Sequence, residues 1–524
     1  MMTSKLSMLA LAAALIGASG TVWAEDLRIG FADPLSSLDP QLNNHAGDHS
    51  VSQHFWGRIV AQKSSGGLVP DLASEWKNTS PTTWEFKLRD KAVWSDGKPV
   101  TAEDIAFSYE RAQNVPGSVA SFKSFLRSVA KVEVKDPHTL VITTKEPDPL
   151  LPINLSSIYV VSKHVGQGAT TDDYNSGKAM VTEGPYAFVS YTPGDRVEMK
   201  RNEAFWGEKA EWDKISYRYI SNPAARTAAL LSGDVDVIDK LSVSDIEKLE
   251  KNPKVKVWSY PGLRVLILQP SFNPNPSKFI TDKAGKPLDK NPLLDVKVRK
   301  ALTIAVNRAA IADRVARGGA TVATQWMPEG TFGYDPDNAK IENDPAKAKA
   351  LLAEAGYPNG FKLTMHVPSD RYPLGPETAQ AVAQFWTRIG VETQVEVVPF
   401  SVYSGAANKN EYAMSMIGWG NGTGEGTYAM TSILATNDNA KGLGASNWGR
   451  YSNPKLDQAL AAAGSEFDDA KREVIIKDAV KTVMNDVGII PLFHYKNIWA
   501  SRPDLKVVPW HSDRTVAMQV SKVK

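Results

Sequence analysis

Trp84-Glu-Phe-Lys-Leu-Arg-Asp-Lys-Ala-Val-Trp-Ser-Asp-Gly-Lys-Pro-Val-Thr-Ala-Glu-Asp104 changes its structural signal halfway along. Residues 84–89 alternate apolar and charged, which places the apolar side chains on one face of a half-buried strand. Asp96-Gly97 is a turn signal that sends the chain back. Thr101 then stands where a helix cap belongs, ahead of a helix running through Ile105 and Tyr109. Glu103 and Asp104 sit in its first turn, where carboxylates favour the helix dipole. A strand giving way to a helix is the signature of an α/β or α+β chain.

The same alternation continues on the C-terminal side. Ala224–Ser232 reads as a helix stopped by Gly233, followed by the strand Val235-Asp-Val-Ile238. Ser244-Asp-Ile-Glu247 has the spacing of a capping box that opens another helix. Asp344-Pro345 starts a helix that Gly356 ends, with Pro358 beyond it, and the strand Phe361–Val367 follows. Glu377–Ile389 is helical up to Gly390, and Val391–Val398 is again strand. No internal repeat stands out. Asn273-Pro-Asn-Pro276 and the polar stretch to Asn291-Pro292 form the best linker candidate, near the middle, and suggest two lobes.

A chain of 524 residues with 42% hydrophobic content can fill two or three domain cores. Sixty Lys and Arg against 58 Asp and Glu leave a formal charge of +2, without the basic tract that a nucleic-acid partner requires. Lys5, the apolar run Leu6–Ile16 and the small residues of Val22-Trp-Ala24 at −3 and −1 predict a secretory signal peptide over 1–24. Residue 25 is Glu and the chain has no Cys, so no lipid anchor, disulfide or thiolate metal site is expected. No later apolar stretch reaches about 18 residues. The expected product is an exported, unanchored, soluble and monomeric protein of the periplasm.

Gly418-Trp-Gly-Asn-Gly-Thr-Gly-Glu-Gly-Thr-Tyr428 places five glycines alternately after the apolar run 414–417. A dinucleotide loop needs glycines at its first, third and sixth positions, and here the sixth is Glu425 or Thr427. No Lys-Ser or Lys-Thr follows to make a P-loop, and Glu425 would repel phosphate. The glycines permit close approach of backbone to a ligand or to a neighbouring strand, and a glycine-rich hairpin with a core Trp accounts for them equally well. His45, His49 and His54 are the best metal candidate, against an ordinary polar helix surface, and no metal site is assigned. No nucleophile elbow, Ser-x-x-Lys or His-Glu-x-x-His motif is present, so no catalytic residue and no cofactor is assigned.

Several segments together resemble the family-5 solute-binding proteins of ABC importers, which serve peptides, nickel and opine-like compounds. They are Pro70-Asp-Leu-Ala-Ser-Glu-Trp76, the stretch 84–104 quoted above, Gly184-Pro-Tyr186, Arg201-Asn202 with Phe205-Trp-Gly207, and Ala225-Arg226 with Gly233-Asp-Val-Asp236. Asp295-Val-Lys-Val-Arg-Lys-Ala-Leu302 with Asn307-Arg308, Ala355-Gly-Tyr357 and Tyr451-Ser-Asn-Pro454 continue the pattern in order. The resemblance implies an α/β, two-lobed periplasmic binding protein, class II-like and of cluster C, with an extra subdomain on lobe 1. Lobe 1 would take 25–60, 192–290 and the return 500–524, the extra subdomain 61–191, and lobe 2 291–499.

It further implies a ligand, peptide or small molecule, trapped by closure and passed to the permease subunits of an ABC transporter. Gly418-Trp419 matches a Gly-Trp at the end of a second-lobe strand. Where peptide binders often carry the Asp that holds the ligand ammonium, this chain has Gly422, with Glu425 as a possible substitute. Arg371 resembles the arginine that holds a ligand carboxylate in dipeptide-binding relatives. Arg264 interrupts an apolar strand and is a second anion candidate, or else a surface-facing strand position. Trp326, Trp419, Gly420, Asn421, Thr423 and Tyr428 are expected in the wall, or as packing and rim. His45 and Asp48 lie on the N-terminal segment that often lines the cleft. Loss of the usual Asp points toward a modified amine, as in an opine or conjugated amino acid. A metal or metallophore receptor, an oligosaccharide receptor and a secreted hydrolase are the alternatives.

Overall fold

A computed structural model describes residues 26–63, 66–275 and 277–523. The signal peptide expected over 1–24 lies outside the described residues.

The quoted stretch forms as its pattern predicts. Strand Thr83–Leu88 buries Trp84, Phe86 and Leu88 on one face and sits inside a four-stranded antiparallel sheet with Ala73–Ser80, Thr139–Thr144 and Val129–Asp136. Helix Ala102–Arg111 begins at Thr101, whose backbone N–H donates to the Asp104 carboxylate at 2.8 Å. Asp104 also accepts the Lys163 backbone N–H at 2.8 Å, so one carboxylate fastens the helix start to a second segment.

The main body is a 12-stranded mixed sheet. At one end Asp26–Phe31 lies parallel to Lys214–Tyr219, continued by Arg196–Arg201 and Tyr186–Thr192. At the other, Phe361–Pro368 lies parallel to Val391–Val398 and to the end of Met414–Gly420. Two long strands, Lys256–Pro270 and Ile490–Ser501, pair antiparallel and join the two ends. Apolar side chains segregate accordingly. Leu27, Ile29, Tyr217 and the four-stranded sheet's Phe86 and Leu140 share one core. Val265–Leu268, Leu302, Val367, Trp386 and Phe493 share another. The protein is therefore a two-lobed α/β structure whose extra subdomain grows from the first lobe's core.

Three sequence expectations need correction. Residues 265–268 and Ile280 pack in the second core, and Ile280–Thr281 pairs with Phe361–Pro368. We therefore place the crossing at 261–265 rather than at 290/291; the Pro/Asn-rich stretch is a surface excursion, and the crossing is made of strand. Tyr186–Thr192 belongs to the main sheet, so the subdomain ends before 191. Ser244 does not cap a helix: its hydroxyl meets Ser242 Oγ at 2.8 Å, and the short helix Ile246–Glu250 starts at Asp245.

Candidate functional site

The pairing of the two crossing strands is broken where they pass between the lobes. The register runs from Lys256 opposite Ser501 to Pro261 opposite Lys496, then resumes at Val265 opposite His494. Residues 262–264 face Tyr495 alone, and such a bulge re-aims side chains. Here it turns Arg264 out of an otherwise buried strand, with Leu263 and Val265 buried on either side. Below it lies a cavity of about 700 Å³, walled by both lobes and by the crossing. Asn44, His49 and Arg514 come from the first lobe, Lys496 and Asn497 from the second crossing strand, and Gly420–Gly422 from the second lobe.

The alternating glycines now have a specific cause. A Cβ on Gly418 would stand 2.5 Å from the Tyr372 ring, and one on Gly420 would stand 3.0 Å from Arg264 Nη2. Arg264 lies across this strand end and donates through Nη1 to the Gly418 carbonyl at 3.2 Å. Gly422 faces open space. Gly418 and Gly420 thus make room for side chains that lie against the backbone.

Of the residues expected from sequence, Arg264, Gly420, Asn421 and Gly422 line this cavity. Asn421 is an internal brace, donating to the Glu425 carbonyl at 2.9 Å, and Thr423 donates to Asn421 Oδ1 at 3.1 Å. Glu425 is buried and caps the turn Gly426–Ala429 by accepting the Thr427 backbone N–H at 2.9 Å and the Thr427 hydroxyl. Burial raises its pKa, with the Thr427 hydroxyl bond acting against that. Both bonds fall on Oε2, while Oε1 is buried with no hydrogen-bond partner among the described residues, and Glu425 is not among the residues lining the cavity. Trp326 is a correction: it is fully buried in the second core and donates to the Gly426 carbonyl at 3.2 Å. Trp419 and Tyr428 lie 5.5 Å apart, the latter 39% exposed, and neither is among the lining residues.

Arg371 is exposed, with its guanidinium 5.2 Å from the centre of the Phe400 ring, while Pro373 and Leu374 just beyond it form cavity wall. Asp48 is buried, accepting the Ser36 backbone N–H and hydroxyl at 2.7 Å each, and His45 stands 3.5 Å from it. Their neighbours Asn44, Ala46 and His49 face the cavity instead. The three histidines also part company. His49 contacts Tyr159 Oη at 3.1 Å and Asn44 Oδ1 at 2.5 Å, while His54 Nδ1 contacts the Val51 carbonyl and Nε2 accepts the Ala517 N–H at 3.0 Å. No group of three potential ligands that could hold a metal occurs among the described residues.

Sequence reasoning missed Arg514, Lys496, Lys240, Asp239 and Asp513. Lys240 is held by Asp33 at 2.6 and 2.7 Å and lies 3.6 Å from Asp513. Asp239 is buried and accepts the Ala32 N–H at 2.8 Å and the Thr515 hydroxyl at 3.2 Å; burial raises its pKa to about 6. A lysine inside the apolar run 489–500 was the one available signal for Lys496.

With this geometry in place, the comparisons decide the family. The family model described as bacterial extracellular solute-binding proteins, family 5 middle, matches residues 67–441. The chain belongs to that family. Among its relatives, this family 5 protein is 26% identical to the periplasmic murein peptide-binding protein MppA of Escherichia coli, over 95% of this chain and 93% of that one. It is 28% identical to heme-binding protein A of Haemophilus influenzae, over 85% and 82%. MppA solved in its unliganded open form superposes with a TM-score of 0.83 at 24% identity, covering 96% and 98%, a likeness of fold. No helix among the described residues is long and apolar enough to cross a membrane.

Proposed function

We propose that this family 5 protein captures a peptide or peptide-like solute bearing a carboxylate, such as an opine or a modified amino acid, and delivers it unaltered to the permease of an ABC importer. It would do so as a monomer in the periplasm. One observation carries the proposal: a cavity of about 700 Å³ lies where two strands cross between lobes, and both lobes supply its walls. That volume suits a small solute. Contacts from both walls to one ligand favour the shut state over the open one, which is how binding drives closure. The relative named for murein peptide binding, and the likeness to an unliganded open form, support an open receptor for peptide-like ligands. Gly422 in place of an acid, and Glu425 bound to Thr427, support a ligand whose amine is modified.

The test is mass spectrometry of the solute that co-purifies from the native periplasm, followed by X-ray scattering with that solute added back. A carboxylate-bearing solute recovered intact, with a smaller radius of gyration on binding, is the expected result. Recovery of a chemically converted product, or no compaction, ends the proposal.

A further inference from the structure

Six charged side chains that do not depend on histidine protonation line the cavity: Lys240, Arg264, Lys496 and Arg514 against Asp239 and Asp513. The acids are already occupied. Asp513 faces Lys240, and Asp239 is held by Ala32, Thr515 and, at 3.8 Å, Arg226 Nε. Lys240 is in turn neutralised by Asp33. Three cations are left over. Among the described residues, no carboxylate lies within 4 Å of Arg264, Lys496 or Arg514; the hydrogen bond Arg264 makes is to a neutral carbonyl. Arg514 shows the cost of this arrangement: burial brings its pKa below the ordinary guanidinium value, with the Arg58 charge adding to the fall and Tyr159 and the more distant Asp513 carboxylate opposing it. Burial, with the charges of the same two arginines, holds His49 well below the ordinary imidazole range.

Lys496 and Arg514 are half-buried and Arg264 is exposed; a cation without a counter-charge becomes costly when a closing cleft removes its water. The three also come from three different parts of the machine. Arg514 sits in the first lobe, one residue before Thr515, whose N–H donates to Ser50 Oγ at 3.1 Å. Lys496 is on the second crossing strand opposite Pro261, and Arg264 lies against the second lobe's strand end at Gly418–Gly420.

We infer that the solute is a polyanion, a small molecule with two or three carboxylates and no free ammonium, whose negative charges bridge Arg514, Lys496 and Arg264 and so hold the lobes together. This rests on the cleft being the ligand site, and it deepens the peptide-like assignment by fixing the solute's charge. Multi-charge contact also makes binding weaken steeply with salt.

Calorimetry with two probe pairs tests it at matched ionic strength. Acetyl-Glu-Glu has three carboxylates and acetyl-Gln-Gln one; tricarballylate and acetate repeat the contrast without a peptide. The triacid of at least one pair is expected to bind at least tenfold tighter than its monoacid partner. Lys496→Gln and Arg514→Gln should each remove at least tenfold of the triacid's affinity while changing the monoacid's by less than threefold. Lys496 lies outside the buried core, so its variant remains informative if Arg514→Gln fails to fold. If only tricarballylate binds in this way, the polyanion clamp stands and the peptide-like assignment falls. If acetyl-Gln-Gln binds as tightly as acetyl-Glu-Glu, or Lys496→Gln leaves the affinity for a bound acetyl-Glu-Glu unchanged, the clamp falls and the peptide-like assignment stands. No binding of any probe at millimolar concentration overturns both.

Discussion

Arg264 and Arg371 carry the same guanidinium into different surroundings, and that difference sets what their removal should do. Arg264 is presented to the cavity by a bulge and braced on the Gly418 carbonyl. Arg264 is exposed in this structure, and closure of both walls over a solute would desolvate it; removing one partner of a desolvated charge pair costs about 2–5 kcal/mol, so Arg264→Ala should weaken binding of the native solute by about that much in calorimetry. Arg371 lies over Phe400 in solvent, and an exposed charge contributes about 0–1 kcal/mol, so Arg371→Ala should cost no more than about 1 kcal/mol of affinity. Equal losses from both would return Arg371 to the site. Trp326→Ala should instead act on stability, losing about 3–5 kcal/mol in urea unfolding, because the indole fills the second core. Sequence exposed which residue types this region uses, and Arg264 was visible as a charge inside an apolar strand. It did not expose burial: Trp326 and Glu425 have the composition of a binding wall and the surroundings of a scaffold. Arg514 gave no signal because a polar C-terminal segment says nothing about the strands it folds back upon.

The strand Met414–Gly420 joins the core to the cleft, and its glycines do different work at its two sides. Ala at 418 would drive a Cβ to 2.5 Å from the Tyr372 ring, which is packed beneath the strand. Overpacking of this kind costs about 1–3 kcal/mol, so Gly418→Ala should lower the melting temperature. Ala at 420 would press only on the flexible end of Arg264. Gly420→Ala should stay within about 0.5 kcal/mol of the parent in stability while weakening ligand binding at least threefold, since the guanidinium must move. A stability loss as large as that at 418 would contradict this division. Elements were the level at which sequence spoke most clearly. Pro223–Ser232 ending at left-handed Gly233, Pro345–Glu354 capped by Asp344, and Val391–Val398 follow from local signals alone. What stayed hidden was the crossing. Lys256–Pro270 and Ile490–Ser501 have ordinary strand composition throughout, and only tertiary pairing makes half of each belong to a different lobe.

Across the whole molecule, buried histidines must stay neutral for the cores to close: His49 and His54 in the first lobe, and His494 at the second. His54 lies in the first lobe with Nε2 accepting the Ala517 N–H, and His494 lies in the second crossing strand opposite Val265. Burial lowers the pKa of each to about 4. The unfolded chain therefore binds more protons than the folded one between about pH 6.5 and 4, and stability falls as pH falls through that window. At pH 5 the loss is about 2 kcal/mol per histidine relative to pH 7.5, from the one-unit equivalence of about 1.4 kcal/mol. Asp239 acts with the opposite sign: its raised pKa of about 6 gives stability below the ordinary carboxylate range that is lost as pH rises through 6. Because Asp239 and His54 share the first lobe, their slopes partly offset there, whereas His494 is not opposed in this way by Asp239. Urea unfolding at pH 5 and pH 7.5 should show the parent losing stability at the lower pH. His494→Gln should flatten that dependence by about 2 kcal/mol, whatever it does to stability at neutral pH. His54→Gln should flatten it by a similar amount, and Asp239→Asn should steepen it. A pH dependence unchanged in His494→Gln would mean that the imidazole at the crossing is reached by water and protonates freely in the folded state.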